Sequence, residues 1–322
     1  MRRNGIYPYP DFPDHVYVEL TNVCNARCTI CATPTMQRPR KVMELELFRK
    51  IVEECARRRP RWLLPFLHGE TLLVPGVLDY FRLARRLAPD TRINLTTNGS
   101  KLSPEISEAI LRERLVDHLI VSIDGGDRET FEAIRLGLSY DEVRGNVLGF
   151  LRRRNDLGLD RPKVSIAMVT TTENKATRRR LAAAWKEADE VRFSVYFNWA
   201  GQLDGERRPP NKINFCERLY HYITVLVDGR VALCCFDSDG EHILGDVRRS
   251  SLHEIWHSPA FQEKRKALYR KDFKQLPLCE RCDYLNHPDW ATPLLRRRLA
   301  WEERFPRVAA WAGRAYKRWL TG

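Results

Sequence analysis

Cys24-Asn25-Ala26-Arg27-Cys28-Thr29-Ile30-Cys31 decides how the rest of the chain is read. Three cysteines in a C-x3-C-x2-C spacing follow directly on an apolar run, His15 to Leu20. A compact loop after a strand can aim three thiolates at one inorganic cluster. The number is informative. A structural zinc or an electron-transfer iron–sulfur centre takes four protein ligands, whereas three thiolates on a cluster leave one iron open for a substrate or cofactor. A zinc knuckle or chance clustering is the competing reading of this octapeptide alone.

The 322 residues are 43% hydrophobic and 30% charged, enough for one large domain and a smaller one with an ample core. No stretch approaches the apolar length of a membrane span. The start, Met1-Arg2-Arg3-Asn4-Gly5, leads into Pro- and Tyr-rich chain and not into an apolar signal region, so a cytoplasmic protein is expected. Nine cysteines in a reducing compartment argue for metal or catalysis over disulfides. The net charge of +13 suits nucleic acid, anionic lipid or a phosphorylated substrate.

From the cysteine loop outward, strand-like runs alternate with helical patterns. The strands are His15–Leu20, Trp62–His68, Arg92–Thr97, His118–Ile123, Lys163–Thr170 and Val191–Phe197. Phe48, Ile51, Val52 and Cys55 fall on one face of a first helix, where Cys55 reads as a small buried hydrophobe. Further helical patterns cover Val77–Ala88, Pro104–Arg114, Asp141–Arg154 and Asn174–Ala188. Six β–α alternations predict an α/β fold with a parallel sheet and outer helices; periodicity does not say whether the sheet closes.

The strand ends carry polar punctuation: His68-Gly69-Glu70-Thr71 after the second, Thr96-Thr97-Asn98-Gly99-Ser100 after the third, Ser122-Ile123-Asp124-Gly125 after the fourth. Gly allows close backbone approach, Glu gives a charge-assisted hydrogen bond, and Ser and Asp two apart in a strand point the same way. Each is also what a plain strand-ending turn looks like. Taken with the cysteine spacing and in this order, they resemble the radical SAM superfamily.

That resemblance implies an open, partial (β/α)6 TIM-like barrel over residues 1–200, with S-adenosylmethionine (SAM) at the C-terminal ends of the strands, where α/β barrels place chemistry. It implies a [4Fe-4S] cluster on Cys24, Cys28 and Cys31. It also implies SAM contacts from Ile30, Gly69, Glu70, Asn98, Ser122 and Asp124. The His before Gly69 and the Thr after Glu70 depart from the family's commonest forms.

A Gly-, Pro- and charge-rich loop, Gly201–Asn211, marks a boundary. Beyond it, Tyr222–Val227 and Arg230–Cys235 flank Asp228-Gly229, a strong hairpin signal. Cys216, the pair Cys234 and Cys235, and Cys279-x2-Cys282 surround it. Four cysteines suit one iron–sulfur cluster or one zinc. Adjacent strand residues face opposite ways, so only one of Cys234 and Cys235 joins easily. The stretch resembles the SPASM region of radical SAM enzymes, whose Gly-x4-Cys places the ligand at Cys234. The likeness continues through Ile243–Val247, Ser251–Trp256, Ser258–Phe261 and Cys279–Tyr284. Full SPASM domains carry seven cysteines and two auxiliary clusters; here the resemblance implies one, on Cys216, Cys234, Cys279 and Cys282, in a small hairpin-and-helix domain over 201–290. Cys235 is left over. It is either a packing residue or, by analogy with radical SAM epimerases, a catalytic hydrogen donor. His242, His253 and His257 read as structural or surface residues, and Asp237, Asp239 and Glu241 as a solvated acidic loop.

Residues 291–322 carry net +6, with Phe305, Val308, Ala309, Ala312, Tyr316, Trp319 and Leu320 at helical spacing. This predicts a basic amphipathic helix, packed on the barrel or touching a membrane surface peripherally; no nucleic-acid module accompanies it.

The function implied is reductive SAM cleavage to a 5′-deoxyadenosyl radical, with hydrogen abstraction and then dehydrogenation or epimerisation. An electron donor such as flavodoxin or ferredoxin would feed it. The cluster loop starts by residue 24, leaving no room for a leader-binding region, which favours a small-molecule substrate: a sugar, aminocyclitol or sugar conjugate. Maturation of a ribosomal peptide or protein is the second reading, and a non-catalytic metal-binding protein the third.

Overall fold

The expected alternation forms a single run of parallel strands. The computed structural model describes Ile6, residues 9–204 and residues 216–286; the basic C-terminal helix expected over 291–322 and most of the boundary loop lie outside the described residues. The first part runs β1 (His15–Val18), α1 (Leu45–Arg58), β2 (Trp62–Leu64), α2 (Val77–Leu87), β3 (Arg92–Thr97), α3 (Pro104–Arg112), β4 (His118–Ser122), α4 (Arg128–Ile134), α5 (Tyr140–Asp156), β5 (Lys163–Thr170), α6 (Arg178–Ala184) and β6 (Glu190–Val195). Each strand from β1 to β6 pairs in parallel with the next, and the sheet does not close: a partial barrel.

The helices form where the apolar stripe and the caps agree. On α1, Phe48, Ile51, Val52 and Cys55 are all buried, and Arg59 ends the helix in the left-handed region at φ 53°. Burial keeps the Cys55 thiol well above its ordinary pKa, as fits an inert packing residue. Ser103 caps α3 through Ile106 N, with Pro104 at the first helical position. One helix, α4, has no counterpart in the periodicity. It spans only seven residues, capped by Asp127 and anchored by Phe131 and Ile134, too short for a 3.6-residue repeat to show.

The second part adds α7 (Glu217–His221), β7 (Tyr222–Val225), β8 (Arg230–Ala232), β9 (Ile243–Asp246), α8 (Leu252–Trp256), α9 (Pro259–Tyr269) and α10 (Pro277–Glu280). The expected hairpin is present as antiparallel β7–β8. It does not form its own sheet. β7 pairs in parallel with β1, His15 opposite Tyr222, giving one nine-stranded sheet ordered β6-β5-β4-β3-β2-β1-β7-β8-β9. α8 begins with a capping box between Ser251 and Glu254. Its His253 and His257 face Asp11, with His257 Nε2 donating to the Asp11 carbonyl oxygen at 2.8 Å, so they tie the N-terminal segment to α8. No helix of the described residues is long and apolar enough to cross a membrane.

Candidate active site

β1 ends at Val18, and the chain turns at once into the cysteine loop. The loop is fixed from two sides. Arg27 N donates to Leu136 O at 2.8 Å and Thr29 N to Ile134 O at 2.9 Å, which ties it to the end of α4. Asn25, between the first two cysteines, donates to Ser100 Oγ at 2.9 Å and accepts from Asn98 Nδ2 at 3.0 Å, which ties it to the end of β3. Cys24, Cys28 and Cys31 are all partly exposed and none is disulfide-bonded. Burial pushes the Cys24 thiol up to about 11, with the charges of Glu70, Cys28 and Cys31 adding to it. Burial also raises Cys28, against the opposing charge of Arg135. Metal ligation has to draw off these protons.

Gly69 answers to a steric demand. A Cβ there would lie 2.3 Å from Thr21 O and 2.7 Å from Val23 O, so only glycine lets this turn press on the backbone that leads into Cys24. Glu70 N donates to Val23 O at 2.9 Å across the same contact. The Glu70 carboxylate is buried and accepts from Thr97 Oγ1 (2.7 Å), Asn98 N (2.7 Å) and Leu72 N (3.1 Å). Burial pushes its pKa up while these donors pull it down. Gly69, Glu70 and Asn98 therefore join the cysteine loop in one hydrogen-bonded unit.

Ser122 ends β4 and is half-buried. Asp124 lies beyond the strand, fully buried, and its carboxylate is already engaged. It accepts from Val169 N at 2.7 Å and from Arg135 Nε and Nη2 at 2.8 and 2.6 Å. Arg135, at the end of α4, couples electrostatically to Cys28 and Cys31. Sequence reading missed it because α4 itself was missed. The Ile30 carbonyl oxygen accepts from Trp199 Nε1 at 2.9 Å, a second partner no motif announced.

The departures around Gly69 have their own explanation. His68 is fully buried and does not face the cysteine loop; its Nδ1 lies 2.8 Å from Glu19 Oε1 and its Nε2 3.0 Å from the Cys235 carbonyl oxygen. Arg38 donates to both Glu19 oxygens at 2.8 Å, and Val227 N donates to Glu19 Oε2 at 2.9 Å. Thr71 Oγ1 donates to Pro65 O at 2.9 Å and shapes the turn. Glu19 thus joins β1, the Gly69 turn and the hairpin region.

The auxiliary cysteines correct one premise. β8 ends at Ala232, so Cys234 and Cys235 sit on the turn after it and not in the strand. The turn still separates them. Cys216, Cys234, Cys279 and Cys282 line one apolar pocket with Phe236, Tyr284 and Arg218. Cys235 is not among the lining residues; its Sγ accepts from Arg218 Nη1 at 2.8 Å. The residues fit a cluster better than one zinc. A tetrahedral zinc with Zn–S near 2.3 Å needs sulfurs about 3.8 Å apart. Among the described residues, the one trio of candidate ligand atoms within 4.8 Å of one another is Asp11, His253 and His257, not a cysteine set. Arg218 Nε, moreover, is buried with no hydrogen-bond partner in a pocket of four thiols. The nearby acids are structural: Asp237 accepts from Glu241 N and His242 N at 2.9 Å, and Asp239 from Gln37 N at 2.6 Å.

Beside the cysteine loop, at the C-terminal ends of β5 and β6, lies a cavity of about 570 Å³. Thr29 and Ile30 form one wall; Thr170, Thr171, Thr172, Glu173, Lys175, Tyr196, Asp204 and Asp283 line the rest. Three carboxylates, one ammonium and several hydroxyls suit a polar ligand.

Comparison with known proteins agrees with this geometry. The profile of the radical SAM superfamily matches residues 18–184, and that of the SPASM iron–sulfur cluster-binding domain matches 216–283. A GTP 3',8-cyclase of Chlorobaculum tepidum is 29% identical over 133 residues, 40% of this chain and 38% of that one. An AdoMet-dependent heme synthase of Methanosarcina barkeri is 29% identical over 184 residues, 56% and 49% of the two chains; the chain spans less than half the length of these relatives. An S-adenosyl-L-methionine-dependent 2-deoxy-scyllo-inosamine dehydrogenase of Niallia circulans is 21% identical over 270 residues, 83% and 92%. Among solved structures, BtrN in complex with AdoMet and 2-DOIA superposes with a TM-score of 0.61 at 18% identity, covering 84% of this chain and 93% of that one. Streptococcus suis SuiB bound to precursor peptide SuiA gives 0.64 at 12%, covering 80% and 67%. At such identities the structural likeness is one of fold. With the core profile covering just over half of its length and the cysteine loop in place at the end of β1, the chain belongs to the radical SAM superfamily and carries a C-terminal SPASM iron–sulfur region.

Proposed function

We propose that this chain acts on a small polar molecule, a sugar, aminocyclitol or sugar conjugate, and removes a C–H hydrogen from it on the way to dehydrogenation or epimerisation. The observation that carries this reading is the 570 Å³ cavity. Its size is that of a small-molecule site, it abuts Thr29 and Ile30 of the cysteine loop, and its lining mixes Glu173, Asp204 and Asp283 with Lys175. A cluster on Cys24, Cys28 and Cys31 with SAM bound supplies the 5′-deoxyadenosyl radical.

The chain's own residues do the rest. Glu70 and Asn98, braced by Thr97, Ser100 and Asn25, offer oriented polar atoms for the methionine end of SAM. Ile30 and Ser122 are assigned to the same cofactor, and Asp124 acts there by holding Arg135 beside Cys28. Glu173 and Lys175 orient the substrate's hydroxyl or amino groups, and a pocket carboxylate takes up the proton that a dehydrogenation releases, while the remaining electron of the substrate radical would pass to the auxiliary cluster. We assign the radical core to residues 1–200 and the auxiliary cluster, on Cys216, Cys234, Cys279 and Cys282, to 201–290. One relative with a long match supports the small-molecule reading, since the Niallia circulans protein is named as an inosamine dehydrogenase.

The two product fates separate at Cys235. An epimerase needs a hydrogen donor on the opposite face, and a dehydrogenase does not; Cys235 is the candidate donor, although its Sγ accepts from Arg218 Nη1 and it is not among the residues that line the 570 Å³ cavity. The test is anaerobic. Reconstituted protein should bind about eight irons and form 5′-deoxyadenosine from SAM and dithionite, and a Cys24/Cys28/Cys31→Ala variant should form none. Deuterium should then pass from a labelled sugar or aminocyclitol into 5′-deoxyadenosine. Transfer from a peptide and from none of the sugars would replace this reading with peptide maturation. Zinc in place of iron, with no SAM cleavage, would leave a binding protein. Loss of product in Cys235→Ala with 5′-deoxyadenosine still formed would mark an epimerase.

A further inference from the structure

We propose that Arg218 is the counter-charge of the auxiliary cluster and sets its reduction potential. The proposal rests on the assignment of Cys216, Cys234, Cys279 and Cys282 to one cluster.

Arg218 stands on α7, two residues after Cys216, and lines the apolar pocket that the four thiols share. Its charge is permanent at any working pH. Its surroundings do little to balance that charge. The guanidinium carbon lies 4.7 Å from the Phe236 ring centroid, 4.8 Å from that of Tyr284 and 5.9 Å from that of Tyr222. Its Nη1 donates to the thiol of Cys235 at 2.8 Å, and the guanidinium also hydrogen-bonds the buried Tyr17 hydroxyl, a neutral partner. Its Nε is buried and donates to nothing. Among the described residues it forms no ion pair with a carboxylate. The adjacent Glu217 is turned aside, its Oε1 accepting from Tyr284 Oη at 2.6 Å.

A guanidinium enclosed by aromatic rings and thiols, with a buried N–H left over, is a costly arrangement unless an anion shares the pocket. Four thiolates on an iron–sulfur core make such an anion. The core's sulfur atoms also accept hydrogen bonds, which is what the orphaned Nε lacks. Aromatic faces add cation–π attraction that holds the side chain in place without neutralising it. A cluster of this kind gains a further negative charge on reduction. A fixed positive charge therefore stabilises the reduced form more than the oxidised form, as does a hydrogen bond to sulfur. Arg218 accordingly raises the potential and makes the cluster a readier acceptor of one electron.

The measurement is an anaerobic redox titration followed by the EPR signal of the reduced cluster. It uses the full chain carrying Cys24/Cys28/Cys31→Ala, so that one cluster reports. Arg218→Gln removes the charge. The expected result is an at least tenfold fall in the equilibrium constant for one-electron reduction, about 59 mV, at unchanged iron content. Arg218→Lys keeps the charge on a shorter, unforked group and should fall between the two. A potential in Arg218→Gln within threefold of the parent's, at equal iron, overturns the proposal. If Arg218→Gln cannot hold iron, Arg218→Lys decides: at least a threefold fall upholds the proposal, and an unchanged potential overturns it. A parent chain that binds no iron instead refutes the four-cysteine assignment, an outcome distinct from an Arg218 that has no effect on a cluster that is there.

Discussion

Glu19→Gln should cost this protein a large part of its stability, and the cost should depend on Arg38. The Glu19 side chain is fully buried, and Arg38 and His68 beside it are 5% and 0% exposed. The carboxylate accepts from both Arg38 nitrogens, from His68 and from Val227 N. Burial pushes its pKa up, but hydrogen bonds from His68 and Arg38 win and hold it near 2 against an ordinary 4.5. At 1.36 kcal/mol per pH unit that difference is about 3 kcal/mol. Breaking one partner of a buried ion pair costs about 3–5 kcal/mol, the same range. Net stabilities of about 5–15 kcal/mol make this a major loss. The arginine is the larger part of the penalty, because Gln still accepts from Val227 N but leaves a buried guanidinium facing a neutral group. Glu19→Gln/Arg38→Met should therefore be less destabilised than the two singles added together, with a coupling of about 2 kcal/mol. The assay is anaerobic calorimetry of the cluster-loaded proteins at one scan rate, because iron–sulfur proteins unfold irreversibly. At about 2.1 cal/mol/K of unfolding entropy per residue, the single variant should lose roughly 4–7 °C in Tm. A loss under 2 °C, or strict additivity in the double variant, would refute the reasoning.

Gly69→Ala has to displace the Thr21–Val23 backbone by about 1 Å, since its Cβ would start 2.3 Å from a carbonyl oxygen. Iron on the Cys24 loop should drop while auxiliary iron stays, as counted after reconstitution; full iron at both sites would contradict the crowding argument. Trp199→Phe removes the 2.9 Å bond to the Ile30 carbonyl, and at about 1 kcal/mol should weaken SAM binding some fivefold by equilibrium dialysis, with iron content unchanged. His15 and His118 are both held near 4 against an ordinary 6.5, chiefly by burial. The unfolded chain therefore takes up protons first as pH falls, and the stability these neutral rings contribute is full above 6.5 and lost towards 4. Apparent Tm should decline from pH 7 to 5.5, and His118→Gln, which still reaches Ser165, should flatten that decline. An unchanged slope would show that other groups set it.

The barrel was legible because six strands announce themselves as short apolar runs and their helices as stripes such as Phe48, Ile51, Val52 and Cys55. The Gly69–Glu70, Asn98 and Cys24–Cys31 stretches were legible as positions where backbone crowding and polar turns leave few residue choices. Arg135, Trp199 and Arg218 were not, because each acts across a distance in sequence: Trp199 reaches Ile30 from 169 residues away. His68 looked like a flawed motif residue, and its reason is the buried Glu19 that only the fold brings to it. The separation of Cys234 from Cys235 was read for the wrong cause, strand alternation, where a turn after Ala232 does the work. The joining of the hairpin to the barrel sheet was hidden because a hairpin signal names its own two strands and never the third that flanks them.

The pairing of β1 with β7 has a consequence for how the chain is made. His15 and Tyr222 are neighbours in the sheet yet lie 207 residues apart in the chain. At about 5–20 residues per second of synthesis, β1 leaves the ribosome roughly 10–40 s before β7 exists. For that interval one edge of the first strand is unpaired, a template for any other extended segment, and the Glu19 carboxylate lacks the amide of Val227. The N-terminal three-cysteine loop can be complete while the strand that carries it is still open on one side. Assembly is thus expected to run from the Cys24 loop outward, with closure of the β1–β7 seam as its last and slowest step.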